Sequence, residues 1–144
     1  MSVQHNIDKV ADQLNATFKQ LDDDLLSALK KTVNHIQDET EKGADKHTVT
    51  GALRNAVFSQ KLPDGWLVGI DEQKAPHAEF VHFPTRPHLI KPKAKKALRW
   101  PNGGAFAFAK AVNHPGYKGD PFFHDAIDSG MRFLDNQIQQ LKLR

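Results

Sequence analysis

The feature that most constrains this chain is a long N-terminal stretch, Ser2 to Lys42, that contains neither glycine nor proline. Glycine and proline are the residues that most often end a helix, so their absence predicts a long helix with Gly43 as its C-terminal stop. Apolar residues recur along the stretch in steps of three, four and once seven, which is the pattern of an amphipathic helix. This stripe consists of Val3, Ile7, Val10, Leu14, Leu21, Leu25 and Ala28.

The length of this helix leaves two alternatives open. Unbroken, it would be about 60 Å long, which exceeds the width of a domain built from the remaining residues. It must therefore lean on a partner or break, and the place for a break is 22–24, where three aspartates are adjacent. The sequence favours neither one long helix nor two shorter ones.

The middle of the chain predicts short elements separated by turns. Thr48 or Thr50 can cap a second helix that continues through Val57, and the Pro-Asp-Gly sequence at 63–65 is typical of a turn. Short apolar or alternating runs between turn residues then predict strands. These runs are 66–70, 77–83, 88–90, 97–100 and 106–112.

The last part of the chain predicts a turn followed by a helix. His114-Pro115-Gly116 breaks the preceding strand, because proline lacks a backbone donor and glycine is free to take a positive φ. Asp120 and Pro121 fit the N-cap and first helical position. An apolar stripe then continues through Phe123, Ile127, Met131, Leu134, Ile138 and Leu141. Gly130 lies inside this helix at a cost of about 1 kcal/mol against alanine, which predicts close packing there.

Together these elements predict an α+β fold. It has a long N-terminal helix, a short second helix, a mostly antiparallel sheet of about five strands with helices against one face, and a C-terminal helix. With 144 residues the chain has the length of one domain. Within that domain, we expect a helical arm at 1–45 and an α+β body at 46–144.

The composition excludes several classes of protein. The hydrophobic fraction of 39% and the charged fraction of 26% are ordinary for a soluble protein. The sequence has no apolar run long enough for a membrane helix, and its N-terminus lacks a secretory apolar core. Because the chain has no cysteine, disulfides, thiolate metal sites and a cysteine nucleophile are excluded. We therefore expect synthesis in the cytoplasm and no membrane partner.

The net charge of +3 conceals an asymmetry between the two parts of the chain. Residues 1–45 carry five lysines and nine acidic residues, whereas residues 46–144 carry fifteen Lys or Arg and eight acidic residues. Such an arm and body can attract one another, within a chain or between subunits. The alternative interpretation is that these are ordinary solvated faces of unequal sign.

The sequence contains no convincing catalytic or metal-binding motif. The eight histidines include no HExxH and no H-x-H pattern, and His77 and His82 would point to opposite faces of a straight strand. The adjacent aspartates at 22–24 point about 100° apart on a helix, so they cannot converge as an acid pair. Ser27, Ser59 and Ser129 are in no nucleophile context. We therefore expect neither an enzyme nor a bound metal or cofactor.

One segment, 86–99, is strongly basic and contains no acidic residue. Its cations are Arg86, Lys91, Lys93, Lys95, Lys96 and Arg99. A cluster of this density can neutralise phosphates, which suggests a nucleic-acid-binding module. However, the interleaved aromatic residues of a base-stacking platform are missing from the segment. Contact with an acidic neighbouring subunit is the other interpretation.

Two segments of the sequence resemble a known family. They are APHAEFVHFPTRPHLIKPKAKKALRW at 75–100 and FAFAKAVNHPGYKGDPFFHDAI at 106–127. Together with the Thr-Gly-Ala-Leu stretch at 50–53, they resemble the phage tail-completion family, the gene-ten-like minor tail proteins of the neck of long-tailed phages. The likeness covers most of residues 48–128 in the expected order. One departure is Pro84, which stands where the family would have the glycine of a Phe-Gly-Thr turn.

The resemblance implies a structural virion protein rather than an enzyme. Such a protein completes or terminates the tail at the head–tail junction, assembles in the host cytoplasm, and has tail-tube and connector proteins as partners. Proteins at this position often form rings, so we expect a homo-oligomer of about six subunits, with incidental contact to genomic DNA in its lumen. The expected inter-subunit or partner contacts are Leu14, Arg86, Lys91, Lys93, Lys95, Lys96, Arg99, Phe106, Phe108 and His114. The alternative is a nucleic-acid-binding module that uses the basic 86–99 segment.

Overall fold

A computed structural model describes residues 3–47 and 49–141, with side chains from residue 6 onward. The predicted α+β class is confirmed. The elements in chain order are α1 Val3–Asp45, α2 Ala52–Asn55, β1 Val57–Leu62, β2 Gly65–Ile70, α3 Ala78–His82, β3 His88–Ile90, β4 Leu98–Asn102, β5 Ala105–Ala109, β6 Val112–His114 and α4 Phe122–Gln139. The strands are antiparallel, as expected, but they form three separate two-stranded sheets instead of one sheet of about five strands.

The contacts of the chain gather into two compact units. The first unit contains the described residues up to 76 and those from 122 onward, and so includes α1, α2, the β1–β2 hairpin and α4. The second unit is the continuous segment 77–121 and contains α3 and strands β3 to β6.

In the first unit, α4 packs along the C-terminal half of α1. Gly130 of α4 faces Ile36 of α1, and an added Cβ would lie 2.6 Å from Ile36 Cδ1. The arrangement is reciprocal, because a Cβ added at Gly43 of α1 would lie 2.6 Å from Phe122 Cβ of α4. The close packing predicted at Gly130 is therefore confirmed. Each helix contributes a glycine that makes room for a large side chain of the other.

Polar contacts fix the register of this first unit. His35 Nε2 lies 2.9 Å from Ser129 Oγ, and the His35 ring stacks on Phe133 with a centroid distance of 4.6 Å. Ser59 Oγ of β1 donates a hydrogen bond of 2.6 Å to Gln37 Oε1 of α1. Because Thr32 and Thr40 are buried, their hydroxyls donate to backbone carbonyls four residues earlier in α1.

The N-terminal helix is continuous, which decides between the two alternatives of the sequence. It runs through 22–24 without a break and is about 65 Å long. Gly43 does not end it, since the helix continues to Asp45. The packing of Phe122 on Gly43 explains this, because tertiary contacts offset the intrinsic cost of a helical glycine of about 1 kcal/mol.

Three predictions of local structure were wrong in detail. The segment 77–83 was predicted as a strand but contains helix α3. Its buried residues Ala78 and His82 are four apart, a spacing that fits a strand of period two and a helix equally well. The short second helix ends at Asn55, and Val57 begins strand β1, which was not predicted. Of its two proposed caps, Thr48 lies outside the described residues.

The strand predicted at 106–112 is divided into two strands with different partners. Strand β5 pairs with β4 in a register that joins Leu98 to Ala109, and β6 pairs with β3 in a register that joins His88 to His114. His114 is therefore the end of a strand rather than part of the turn. Gly116 has φ of +83°, which confirms the positive φ expected there.

Candidate functional site

The N-terminal part of α1 presents an exposed apolar stripe. Every described side chain from 6 to 16 is exposed, and the first buried residue of the helix is Ala28. Leu14 is 52% exposed and Phe18, which the sequence analysis did not single out, is 60% exposed. From here on, the word arm refers only to residues 6–26, the exposed part of the helical arm predicted at 1–45. It carries five aspartates and two lysines, so its exposed apolar face is set in an acidic surface.

A second exposed apolar surface lies on the hairpin formed by β4 and β5. Its two-residue loop consists of Gly103 and Gly104, both with positive φ, which is the geometry that tight hairpins favour. Phe106 and Phe108 are 52% and 66% exposed, and they share a face with Arg99 and Pro101. The Arg99 guanidinium carbon lies 4.3 Å from the centroid of the Phe106 ring, a cation–π contact.

A two-stranded hairpin of this kind is marginally stable by itself in water. Within each strand of this hairpin the side chains alternate between two faces, and neither face contains a buried residue. Phe106 and Phe108, both expected as contact residues, are therefore on a surface that a partner could cover. Their burial would supply the packing that the hairpin lacks.

The basic segment 86–99 is a solvent-exposed cation cluster. All six of its Lys and Arg residues are exposed. Within the part of the chain that the structure describes, none of them forms an ion pair with an acidic side chain. Because their charges are not neutralised internally, they are available to an anionic partner.

An aromatic pocket lies beside this segment in the second unit. It has a volume of about 400 Å³, and its lining combines aromatic rings with one aliphatic and one hydroxyl side chain. The lining residues are Phe80, Thr85, His88, Ile90, His114 and Tyr117. Two backbone hydrogen bonds between Thr85 and Tyr117, of 2.7 and 2.8 Å, hold its walls together. No sequence pattern indicates this cluster, because its members come from α3, the link after α3, β3, β6 and the turn after β6.

Hydrogen bonds fix the tautomers of the two pocket histidines. The Gly116 N–H donates to His114 Nδ1 at 3.0 Å, so a neutral His114 carries its proton on Nε2. His88 Nδ1 lies 2.8 Å from the Arg86 carbonyl oxygen, which can only accept, so His88 carries its proton on Nδ1. The rings stack with a centroid distance of 5.0 Å. His114, an expected contact residue, is thus brought next to His88 of the basic segment.

The hydrogen bonding of His114 does not favour its use as a metal ligand. The Nδ1 lone pair of His114 already accepts a backbone hydrogen bond, and a metal at Nε2 would require the other tautomer. Among the described residues, no group of three or more His, Asp or Glu side chains is placed to hold a metal ion. The pocket is suited to a stacked or apolar occupant rather than to a cation.

Ser129 does have a histidine partner, contrary to the sequence analysis, which found no nucleophile context for it. Its Oγ lies 2.9 Å from His35 Nε2, a distance at which a histidine can act as a base. Acyl transfer also needs donors that bind an oxyanion, and the backbone N–H groups around Ser129 hydrogen bond within α4. The geometry supports a hydrogen bond that joins the two helices.

In the described part of the chain, no helix combines the length and the apolar character that crossing a bilayer requires. No protein-family model, no curated protein and no solved structure matches this chain significantly.

Proposed function

We propose that this chain is a structural virion protein of a tailed bacteriophage or prophage, which completes or terminates the tail at the head–tail junction as a ring-shaped oligomer. The motifs at 75–100 and 106–127, with their resemblance to the tail-completion family, suggest the class. The observation that carries the proposal is the arm, whose apolar stripe is exposed over about 30 Å of helix. The largest apolar patches of monomeric proteins are of similar size and are often functional, so this stripe is a candidate for the association surface.

The acidic arm and the basic second unit are suited to head-to-tail association. The arm is acidic, whereas the second unit carries eight Lys or Arg and two acidic residues. A ring needs two different surfaces that meet between neighbours and a rotation that closes. An acidic helix and a basic body on each copy meet the first requirement, and attraction between them would favour the correct orientation.

Burial of the exposed apolar area of the arm is not sufficient by itself to drive association, so other interactions must contribute. Ile7, Val10, Leu14 and Phe18 are each about half exposed, which corresponds to roughly 400 Å² of apolar surface. Its burial is worth about 10 kcal/mol, and association costs about 4–15 kcal/mol. The ion pairs and the closure of the ring must therefore add to the apolar term, and assembly should depend on salt.

The experiment that tests the proposal is light scattering of the purified full chain across protein and salt concentration, followed by negative-stain microscopy. We expect a discrete oligomer of about six subunits that dissociates as salt rises. Leu14→Asp and Phe106→Asp should each prevent assembly, whereas Gln13→Asp, about 100° around the helix from Leu14 and outside the apolar stripe, should not. Rings formed by both apolar-surface variants would refute these surfaces. Heads and tails that join normally in a phage lacking this gene would refute the function itself.

A second candidate function is nucleic-acid binding, favoured by the six exposed cations at 86–99 that have no acidic partner in the described structure. It predicts that a fluorescent oligonucleotide binds and is released by salt. Changing Lys91, Lys93, Lys95 and Lys96 to glutamine should reduce the salt slope by up to about four. Unchanged affinity in this variant would exclude the segment as the binding surface.

A further inference from the structure

The aromatic pocket of the second unit is suited to an aromatic or apolar side chain that has acidic residues next to it. Four of its six lining residues present rings, which favour an aromatic guest in stacked or edge-on contact. Arg86 and Lys91 flank strand β3, and Lys118 follows Tyr117, so cations adjoin the pocket in sequence on both sides. Only one acidic residue, Glu79, immediately neighbours a lining residue. The local charge is therefore positive.

A group of this chemistry is present on the chain itself. Phe18 is the only Phe, Tyr or Trp residue of α1, and three aspartates follow it one turn later, at 22–24. Asp22 is four positions after Phe18 and so lies on the same side of the helix. Phe18 is 60% exposed, so most of its ring is accessible to a second copy of the chain.

We infer that Phe18 of one copy inserts into the aromatic pocket of a second copy, with the aspartates at 22–24 of the arm against the cations around that pocket. This inference rests on the proposed self-assembly and specifies its contact. The cavity of about 400 Å³ is large enough for a benzyl group with part of the helix that carries it. The hairpin formed by β4 and β5 offers no such concavity, because its exposed rings stand on a two-stranded surface.

The contact is heterologous, since the arm and the pocket are different surfaces of one chain. Each copy therefore has one inserting surface, the arm with Phe18, which we call the donor, and one receiving surface, the pocket, which we call the acceptor. The same contact, repeated from copy to copy, can close a ring or extend a chain. Blocking the donor on one protein and the acceptor on another leaves one usable contact between the two. This property gives a sharp test.

The test uses two variants of the full chain. Phe18→Ala removes the inserted side chain, and Thr85→Phe fills the pocket, because the side chain of Thr85 lines it while its backbone makes the wall hydrogen bonds. Each variant alone should associate about 30-fold more weakly than the unmodified protein, the effect of losing a central anchor residue. An equimolar mixture should form a one-to-one dimer that does not grow.

Controls separate this result from misfolding. Gln13→Ala and Thr85→Ser change the same elements without altering donor or acceptor, and both should assemble normally. Phe80→Asp is a second pocket variant that the fold should tolerate, because Phe80 is 71% exposed. It should also fail to associate by itself and, like Thr85→Phe, should form a one-to-one dimer with Phe18→Ala, because its own Phe18 can still enter the intact pocket of that partner. Circular dichroism confirms the fold of each variant.

Each outcome of these experiments bears on the insertion of Phe18, on self-assembly, or on both. If the unmodified protein forms rings and both variants do so equally well, the inserted phenylalanine is wrong but the proposed function stands. If the unmodified protein remains monomeric throughout, both the contact and self-assembly are overturned. If Thr85→Phe weakens binding of an oligothymidine and leaves assembly unchanged, the occupant is a nucleic acid and the inference fails.

Discussion

Replacing Gly130 by alanine tests the packing of the two long helices directly. In an exposed helix, glycine to alanine is stabilising by about 1 kcal/mol, because alanine loses less backbone freedom on folding. At position 130 the added Cβ would overlap Ile36 Cγ1 and lie 2.6 Å from Cδ1. Carbon atoms without a bond between them pack best at about 3.5–4.0 Å. Ile36 or the whole helix must therefore move by more than about 1 Å.

The expected cost follows from these distances. Overpacking of a well-packed core costs about 1–3 kcal/mol, and an overlap with an aliphatic side chain held between two helices belongs at the upper end. Subtracting the gain in helix propensity leaves a net loss of about 2 kcal/mol. For a protein of this size, such a loss lowers the melting temperature by on the order of 8 °C.

Thermal and urea unfolding, followed by circular dichroism, measure this effect. Asn136→Ala, at an exposed position of α4, is the matched control and should be neutral or slightly stabilising. The double variant with Ile36→Ala removes the overlapping atoms, so its loss should be smaller than the sum of the two single losses by about 3 kcal/mol, the whole cost of the overlap. If Gly130→Ala stabilises the protein as Asn136→Ala does, or if the two losses simply add, the close approach of the helices is refuted.

Three further outcomes are expected. Gly116→Ala should lower the free energy of unfolding by about 1–3 kcal/mol and distort the pocket. The reason is that Gly116 has φ of +83° and that an added Cβ would lie 2.7 Å from the Thr85 carbonyl oxygen. A thermal melt that matches the unmodified protein would contradict this. Backbone amides of the arm should exchange with solvent faster than those of 28–45 in the monomer and slow down on assembly; hydrogen exchange measured at low and high protein concentration shows whether they do. Lys42 donates a 2.7 Å hydrogen bond to Glu39 and lowers the pKa of that carboxyl, so the stability from this pair is complete above the ordinary pKa of Glu and disappears as the pH falls through the lowered value. Glu39→Gln should remove that part of the acid dependence, and an unchanged pH profile would show that the pair contributes nothing.

The sequence predicted the two long helices, α1 and α4, well because their signals are long and local. The amphipathic periods of α1 and α4 extend over many turns, and the single glycine inside α4 indicated close packing that the structure contains. The end of α1 was misplaced for the opposite reason. Gly43 has the residue type of a helix stop, but its neighbour in space is Phe122, which no local pattern reveals.

The strands and the pocket were harder to predict because pairing is not local. The segment 106–112 has one alternating pattern, yet its two halves pair with β4 and β3. The pocket joins α3 to the turn that contains Tyr117, which is 37 positions beyond Phe80, and no spacing rule connects them. Its sequence signal was the glycine at 116, whose positive φ allows the backbone to approach Thr85 closely. The exposed arm was anticipated as a helix that needs a partner, but Phe18 was overlooked as its aromatic residue.

The division of the first unit between two distant parts of the chain also affects how the protein folds during synthesis. His35 and Ser129, which hydrogen bond to each other, are 94 positions apart. At about 5–20 residues per second, a ribosome needs roughly 5–20 s to add the residues between them. Throughout that interval Ile36 and its neighbours on α1 are not covered by α4, which has not yet been synthesised. The second unit is continuous in sequence, so it can form before α4 is available to pack on α1.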